Sequence, residues 1–367
     1  MSTIYEQIGL RRVINASGHM TKLGVSTISQ ETGAAMVAAA QNFVVIDELI
    51  DKVGELISTH TGAEDSCVTS CASAGIMIAT AALIAGDDLG LIERMPDSAG
   101  LPNEIILQKG HAVNFGAPIE QMIRLGGGIP VLAGQSNQTW AGHIESLINE
   151  KTAGLFYCKS HHVQQESTLS LKEMIEVAHK HNLPIYVDAA AEEDIRRYVA
   201  LGADMVIYSG AKAIEACTSG FITGRKDLIA KCKLQYKGIG RATKIGKEGM
   251  MGLVAALEQY DNKDTAKDGA RQREITAKLV EELSKLDYLK VSIQQDNAGR
   301  EIYRAKLDVI PQKSKYTASE IVKRLESGTP AVYTRNHFVD QGTILIDPRT
   351  MLPGDTELII QRLTELQ

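Results

Sequence analysis

Hydrophobic positions along this chain follow two different periods. Over 29–41 and 47–61 they recur every three or four residues, which predicts two amphipathic helices. Short, almost wholly apolar runs follow at 67–69, 104–107, 154–158, 184–187 and 205–208. Runs this short, flanked by polar turns, predict strands buried on both faces. Between them the spacing predicts an Ala-rich helix opening at 70–75 and another helix over 171–181. Strands that alternate with helices in this way predict the α/β class, with a mainly parallel, doubly wound sheet. The longest apolar run, near 76–85, is too short to span a bilayer and reads as a buried helix. An N-terminal arm leads into a short extended segment at 13–15.

The pattern changes near residue 261, where charged residues become more frequent. Runs at 289–293, 301–307 and 343–346 predict strands, and 317–326 and 355–366 predict helices, so this part reads as a smaller α+β domain. With 367 residues the chain is long enough for two domains. The expected division is 1–44 as an N-terminal arm with part of the small domain, 45–258 as the large ligand-binding domain, and 259–367 as the C-terminal small domain. Aromatic residues make up only 5% of the chain, so the core must be built from Ala, Val, Ile and Leu. The net charge of −6 disfavours nucleic acid as a partner, and basic residues cluster only modestly, at 231–247. Five scattered cysteines with no CxxC pair argue against a disulfide framework or a zinc site and suit a reducing compartment. The N-terminus carries no signal pattern, so a cytoplasmic protein with no membrane association is expected.

Doubly wound sheets bind ligands beyond the carboxyl ends of their strands. Ser70, Asp188 and Ser209 fall there. In Ser209-Gly210-Ala211-Lys212, a lysine lies just past a strand end and a serine three residues before it. That pair suits pyridoxal 5'-phosphate (PLP), the amine attaching to its aldehyde and the hydroxyl binding its phosphate. Taken alone, the tetrapeptide also describes an ordinary loop lysine. Asp188 ends an apolar strand, where a carboxylate can keep the PLP pyridine nitrogen protonated; it can equally cap the next helix. One strand–helix–strand unit separates Asp188 from Lys212, which places both on neighbouring strand ends. Ser70, Cys71 and Ala72 open the Ala-rich helix, whose exposed N–H groups form a phosphate cradle or simply cap a buried helix. His111 follows the strand at 104–107, where its ring can stack on the pyridine or stand as a plain loop histidine. A Rossmann fingerprint is missing after the first strand, Gly126-Gly127-Gly128 is a turn, and there is no P-loop. His161 and His162 point opposite ways if a strand continues through them, so no metal is expected there and one of them faces the cleft.

The motifs Val13-Ile14-Asn15-Ala16-Ser17-Gly18, Ser70-Cys71-Ala72-Ser73-Ala74, Asp188-Ala189-Ala190, Ser209-Gly210-Ala211-Lys212 and Arg241-Ala242 occur in one order that resembles the bacterial selenocysteine synthase-like family. The likeness extends through Gly328-Thr329-Pro330-Ala331-Val332-Tyr333-Thr334-Arg335 and Leu345-Ile346-Asp347-Pro348-Arg349, and so covers nearly the whole chain. Around His111, over Lys159-Ser160-His161-His162, and over Asp188-Ala189-Ala190-Ala191-Glu192-Glu193-Asp194, the chain is similar to the D-glucosaminate-6-phosphate ammonia-lyase branch. The resemblance implies a PLP-dependent, aminotransferase-like fold type I enzyme with a seven-stranded-type sheet, working as at least a homodimer. It implies α,β-elimination of ammonia from a phosphorylated amino-sugar acid to give 2-keto-3-deoxygluconate 6-phosphate. In that reading Lys212 carries the cofactor and then moves the Cα proton. The proton for the departing C3 hydroxyl comes from His161, His162 or Lys212. Arg335 and Arg349 are the candidate clamps for the carboxylate. Lys237, Arg241, Lys244 and Lys247 are the candidates for the distal phosphate. A start close to Val13 and an acidic balance leave no place for a tRNA-binding domain. Three alternatives stay open: another PLP reaction (a different β-elimination, a transaminase or a racemase), a selenocysteine synthase-like transferase without the tRNA domain, and a non-catalytic PLP-fold binding protein.

Overall fold

The computed structural model describes residues 3–160, 162–296 and 301–367. The chain forms two compact units, Met1–Thr27 with Lys263–Gln367, and Ile28–Asn262. Strand β1 (Val13–Ala16) belongs to the smaller unit. The larger unit then contributes β2 (Asp65–Thr69), β3 (Glu104–Gln108), β4 (Ile129–Ala133), β5 (Thr152–Cys158), β6 (Ile185–Asp188), β7 (Met205–Ser209) and β8 (Gly220–Gly224). The chain returns to the smaller unit for β9 (Leu289–Gln295), β10 (Tyr303–Val309), β11 (Ala331–Thr334) and β12 (Thr343–Ile346).

The large sheet has the order β2-β8-β7-β6-β5-β3-β4. Only β8 runs antiparallel to its neighbours; the other pairs are parallel. The carboxyl ends of β2 to β7 therefore share one edge. Each face of the sheet carries its own apolar cluster. On one face lies helix Ala72–Ala85, buried almost all round, which is why it is apolar without a polar stripe. On the other lie helices Ile46–Thr61, Leu171–Lys180 and Lys247–Asp261. Their apolar residues keep to one side, and Ser170 and Glu173 close a capping box at the start of Leu171–Lys180.

The unit boundaries differ from those read off the sequence at 28–44. Helix Gln30–Ala40 packs against helix Lys247–Asp261 within the larger unit. A Cβ on Gly252 would come 2.8 Å from Met36 Cγ, and Lys247 Nζ donates to the carbonyls of Ala40 and Asn42. Strands β4 and β8 carry weak sequence signals. The first is a half-exposed edge containing Pro130, and the second is closed by glycine at both ends.

In the smaller unit β1 pairs parallel with β11, and β12, β10 and β9 form an antiparallel sheet. Helices Thr265–Leu283, Ala318–Ser327 and Asp355–Thr364 complete a separate apolar core. Among the described residues no helix is long and apolar enough to cross a membrane.

One glycine fixes how closely the Ala72–Ala85 helix approaches the sheet. A Cβ on Gly220 would lie 2.7 Å from Cys71 C, 2.8 Å from Tyr208 O and 2.9 Å from Ala72 N. These are backbone atoms, which cannot step aside as a side chain can. Gly220→Ala is expected to cost about 1–3 kcal/mol in urea unfolding; an unchanged midpoint would show that this contact relaxes freely.

Candidate active site

Three neighbouring parallel strands end on residues with chemistry: β5 on Cys158, β6 on Asp188 and β7 on Ser209. Side chains along a strand alternate between faces. Phe156, Tyr186 and Ile207, each two residues earlier, all belong to the cluster beneath helix Ala72–Ala85. Cys158, Asp188 and Ser209 therefore share that face. The helix opens at the same edge, because β2 delivers the chain to Ser70 directly from Thr69. Gly75 makes the close approach possible, since a Cβ there would sit 2.8 Å from Ile207 Cγ2. At the helix start Cys71 is the N-cap, its sulfur accepting from Ala74 N–H at 3.4 Å.

Lys212 sits in the turn that leaves β7. Gly210 N–H donates to Ser219 O at 2.9 Å and Ala216 N–H to Gly210 O at 2.8 Å, which folds the turn back on itself. Gly210 has no room for a side chain, as its Cβ would fall 2.1 Å from Ser219 Oγ. Glu215 adopts φ +59°, so local strain is stored beside the lysine.

Asp188 is half-buried at the end of β6. Its Oδ1 accepts from Ala190 N–H at 3.0 Å, and among the described residues its Oδ2 meets only the Cys158 thiol, at 3.9 Å. Burial raises the carboxyl above its ordinary pKa; the Lys212 charge and these two donors pull it the other way. Two contacts are a sparse shell for a carboxylate, which has about four acceptor positions.

His111 is buried, only 1% exposed, rather than free on a loop. Its ring meets Tyr157 edge-on at 4.6 Å. Nδ1 accepts from Cys158 N–H at 3.3 Å, and Nε2 faces the Gln108 amide nitrogen at 3.4 Å. That amide is locked by its pair with the Leu169 backbone. Burial, helped by the Lys159 charge, lowers the His111 pKa from 6.5 to about 4.

Other sequence candidates fall elsewhere. His162 is exposed on a turn, and β5 stops at Cys158; His161 lies outside the described residues. Lys237 and Arg241 are exposed on the short 3-10 segments after helix Lys226–Leu234. Lys247 is a tether, holding two carbonyls and lying over the Phe43 ring.

In the smaller unit, Asp347 is fully buried. It accepts from Arg304 Nε at 2.9 Å and from Arg349 Nε and an Arg349 terminal nitrogen, both at 2.9 Å. Burial alone would raise this carboxyl, but Arg349 and Arg304 hold it well below the ordinary range. Arg304 also pairs with Asp296 at 3.1 Å. Arg335 lies beside this chain, and among the described residues its guanidinium has no carboxylate in ion-pair range. Burial and the neighbouring Arg304 and Arg349 charges pull its pKa down. Arg349 is thus engaged by Asp347, whereas Arg335 is a half-buried cation with no carboxylate partner among the described residues.

The model of the L-seryl-tRNA selenium transferase (SelA) family matches residues 13–336. The chain belongs to this family. It is 50% identical to D-glucosaminate-6-phosphate ammonia lyase of Salmonella typhimurium, over 99% of this chain and 97% of the relative. A solved structure of D-glucosaminate-6-phosphate ammonia-lyase superposes with a TM-score of 0.95 at 49% identity, covering 100% of this chain and 98% of that one. A Streptomyces 5'-C-glycyluridine monooxygenase-decarboxylase is 40% identical over 99% of this chain and 91% of its own. A serine palmitoyltransferase solved with PLP matches at 14% identity with a TM-score of 0.57, over 97% of this chain and 87% of that one; it shows the fold alone. The fold is that of the PLP-dependent fold type I enzymes.

The residues of this family member fit PLP. Asp188 is a strand-end carboxylate whose Oδ2, among the described residues, meets only a thiol, so it can accept a pyridine N–H. Ser70, Cys71 and Ala72 open a 14-residue helix, and Ser209 ends β7 on the same face. Lys212 is near enough to Asp188 for its charge to be felt there. Cys158 escaped the sequence reading, although it closes an apolar strand just as Asp188 and Ser209 do.

The lowered His111 pKa predicts an acid-sensitive fold. Between pH 6.5 and about 4 the unfolded chain holds more protons at this residue than the folded one. Stability should therefore fall through that window by about 3 kcal/mol on this account. In urea unfolding at pH 7 and pH 4.5, His111→Gln should show a smaller loss than wild type. Equal losses would remove His111 as the source.

Proposed function

We propose that this chain is a PLP-dependent ammonia-lyase. It converts D-glucosaminate 6-phosphate to 2-keto-3-deoxygluconate 6-phosphate and ammonia by α,β-elimination. The observation that carries this reading is 50% identity to the Salmonella ammonia lyase across almost the full length of both chains. It is supported by a strand-end aspartate near Lys212 and by a helix N-terminus at the same sheet edge.

Lys212 would hold the cofactor covalently, Asp188 would accept its ring N–H, and Ser209 with the Ser70–Ala72 helix start would hold its phosphate. The chemistry that bound PLP supplies is an electron sink for the charge left at Cα. Lys212, on its strained turn, takes the Cα proton of the substrate. Burial raises the Asp188 carboxyl while Lys212 and its two donors favour its ionised form, and in that form it would keep the proton on the ring nitrogen. His111, buried against Cys158, stays neutral at pH 7, so it adds no cation that would oppose that proton. The C3 oxygen leaves as water with a proton from Lys212, His161 or His162.

Arg335 would bind the substrate carboxylate, since its charge is the one in its cluster without a carboxylate partner among the described residues. Arg349, spanned by Asp347, has the positioning role. Lys237 and Arg241 would meet the distal phosphate. The assembly would be a homodimer or a multiple of one.

With D-glucosaminate 6-phosphate the purified protein should release ammonia and a 2-keto acid in equal amounts. Lys212→Ala should lower turnover about 1000-fold or more. Oxygen uptake with carbon dioxide release, and no ammonia, would replace this reading with the chemistry named for the Streptomyces relative. Arg335→Gln should raise KM about 10- to 100-fold, as expected for a lost charge-assisted hydrogen bond, with a smaller change in kcat. An unchanged KM would move the carboxylate contact elsewhere.

A further inference from the structure

Cys158 touches both Asp188, the partner proposed for the cofactor ring, and the buried His111. Its thiol donates to Asp188 Oδ2 at 3.9 Å, and its backbone N–H donates to His111 Nδ1 at 3.3 Å. Its own position is fixed by sheet register, for Cys158 stands opposite Asp188 in the β5–β6 pair. The next residue tightens the same junction, Lys159 N–H donating to Asp188 O at 2.8 Å. Cys158 is 1% exposed, so solvent does not compete for its contacts.

We propose that Cys158 is a positioning residue for the PLP site, its thiol orienting Asp188 while its main chain orients His111. This rests on the PLP reading above. The charged groups felt at this thiol are Asp188 and Lys212. Burial pushes the thiol pKa far up, so it remains S–H and can only donate toward the carboxylate. A donor at Oδ2 favours the ionised form of Asp188, which burial opposes. The ionised carboxylate in turn keeps the ring nitrogen protonated. Without the thiol, the proton shared between ring and carboxylate shifts toward Asp188, and the electron sink weakens. The main-chain bond to His111 survives any side-chain change, so substitution isolates the thiol.

The test compares wild type with Cys158→Ala and Cys158→Ser. Each is stripped of cofactor, reloaded with PLP, and followed by PLP retention in dialysis and by the pH midpoint of its visible band. Thermal unfolding of the stripped proteins reports packing separately. A less positive ring opposes a nearby proton less, so Cys158→Ala should move the midpoint to higher pH by about half a unit or more. It should also weaken retention about threefold to tenfold, since S–H is a weak donor. Cys158→Ser keeps a donor and should return toward wild type. A Cys158→Ala protein with wild-type midpoint and retention would overturn the proposal. So would equal shifts in both variants that follow their loss of thermal stability, since that is a packing effect. Wild type that takes up no PLP at all would remove the cofactor reading itself, and this inference with it.

Discussion

A carboxylate at the inner end of a buried strand is costly unless positive charge or donors meet it. The larger unit is organised around this constraint at Asp188. The carboxylate has one backbone donor, one thiol and the charge of Lys212 near it. Everything else at the sheet edge follows from putting those partners in place. The β5–β6–β7 pairing sets Cys158, Asp188 and Ser209 side by side, and the turn after β7 brings Lys212 back toward them. A one-residue slip in any of these pairs would turn the side chains to the opposite face.

The smaller unit solves the same electrostatic problem in the opposite way. Asp347 is fully buried and held by two guanidiniums, so its charge is well compensated. Such a pair is a poor source of net stability but holds geometry firmly, since breaking it leaves an uncompensated buried charge. Beside it, Arg335 has no carboxylate partner among the described residues, and burial with the Arg304 and Arg349 charges lowers its pKa. Asp188 thus has few donors, and Arg335 no carboxylate partner, among the described residues. Both are the signatures of groups built to meet a ligand.

The relatives show how far one scaffold can be turned to different chemistry. A transferase family, an ammonia lyase and a monooxygenase-decarboxylase all match this chain along most of its length. A strand-end lysine and aspartate serve any reaction that needs an electron sink. Selection among reactions must then come from the groups that place the substrate and choose which bond breaks.

Much of this was legible in the residues. The short apolar runs and the helical spacing between them marked a parallel sheet, because buried strands and amphipathic helices impose different periods. Ser70, Asp188, Ser209 and Lys212 were marked by standing just past those runs, where doubly wound sheets bind ligands. The edge strand β4 and the inner strand β8 were not legible, since proline and glycine weaken the local signal and only pairing with neighbours makes these segments strands. Nor was the burial of His111, which depends on Tyr157, Gln108 and Leu169 meeting from separate segments. The place of helix Gln30–Ala40 and the roles of Asp347, Cys158 and Lys247 likewise rest on contacts between distant residues. Local period and strand-end position are properties of the chain itself. Which strand ends share a face, which charges meet and which stay short of a partner are set only when register and packing bring remote residues together.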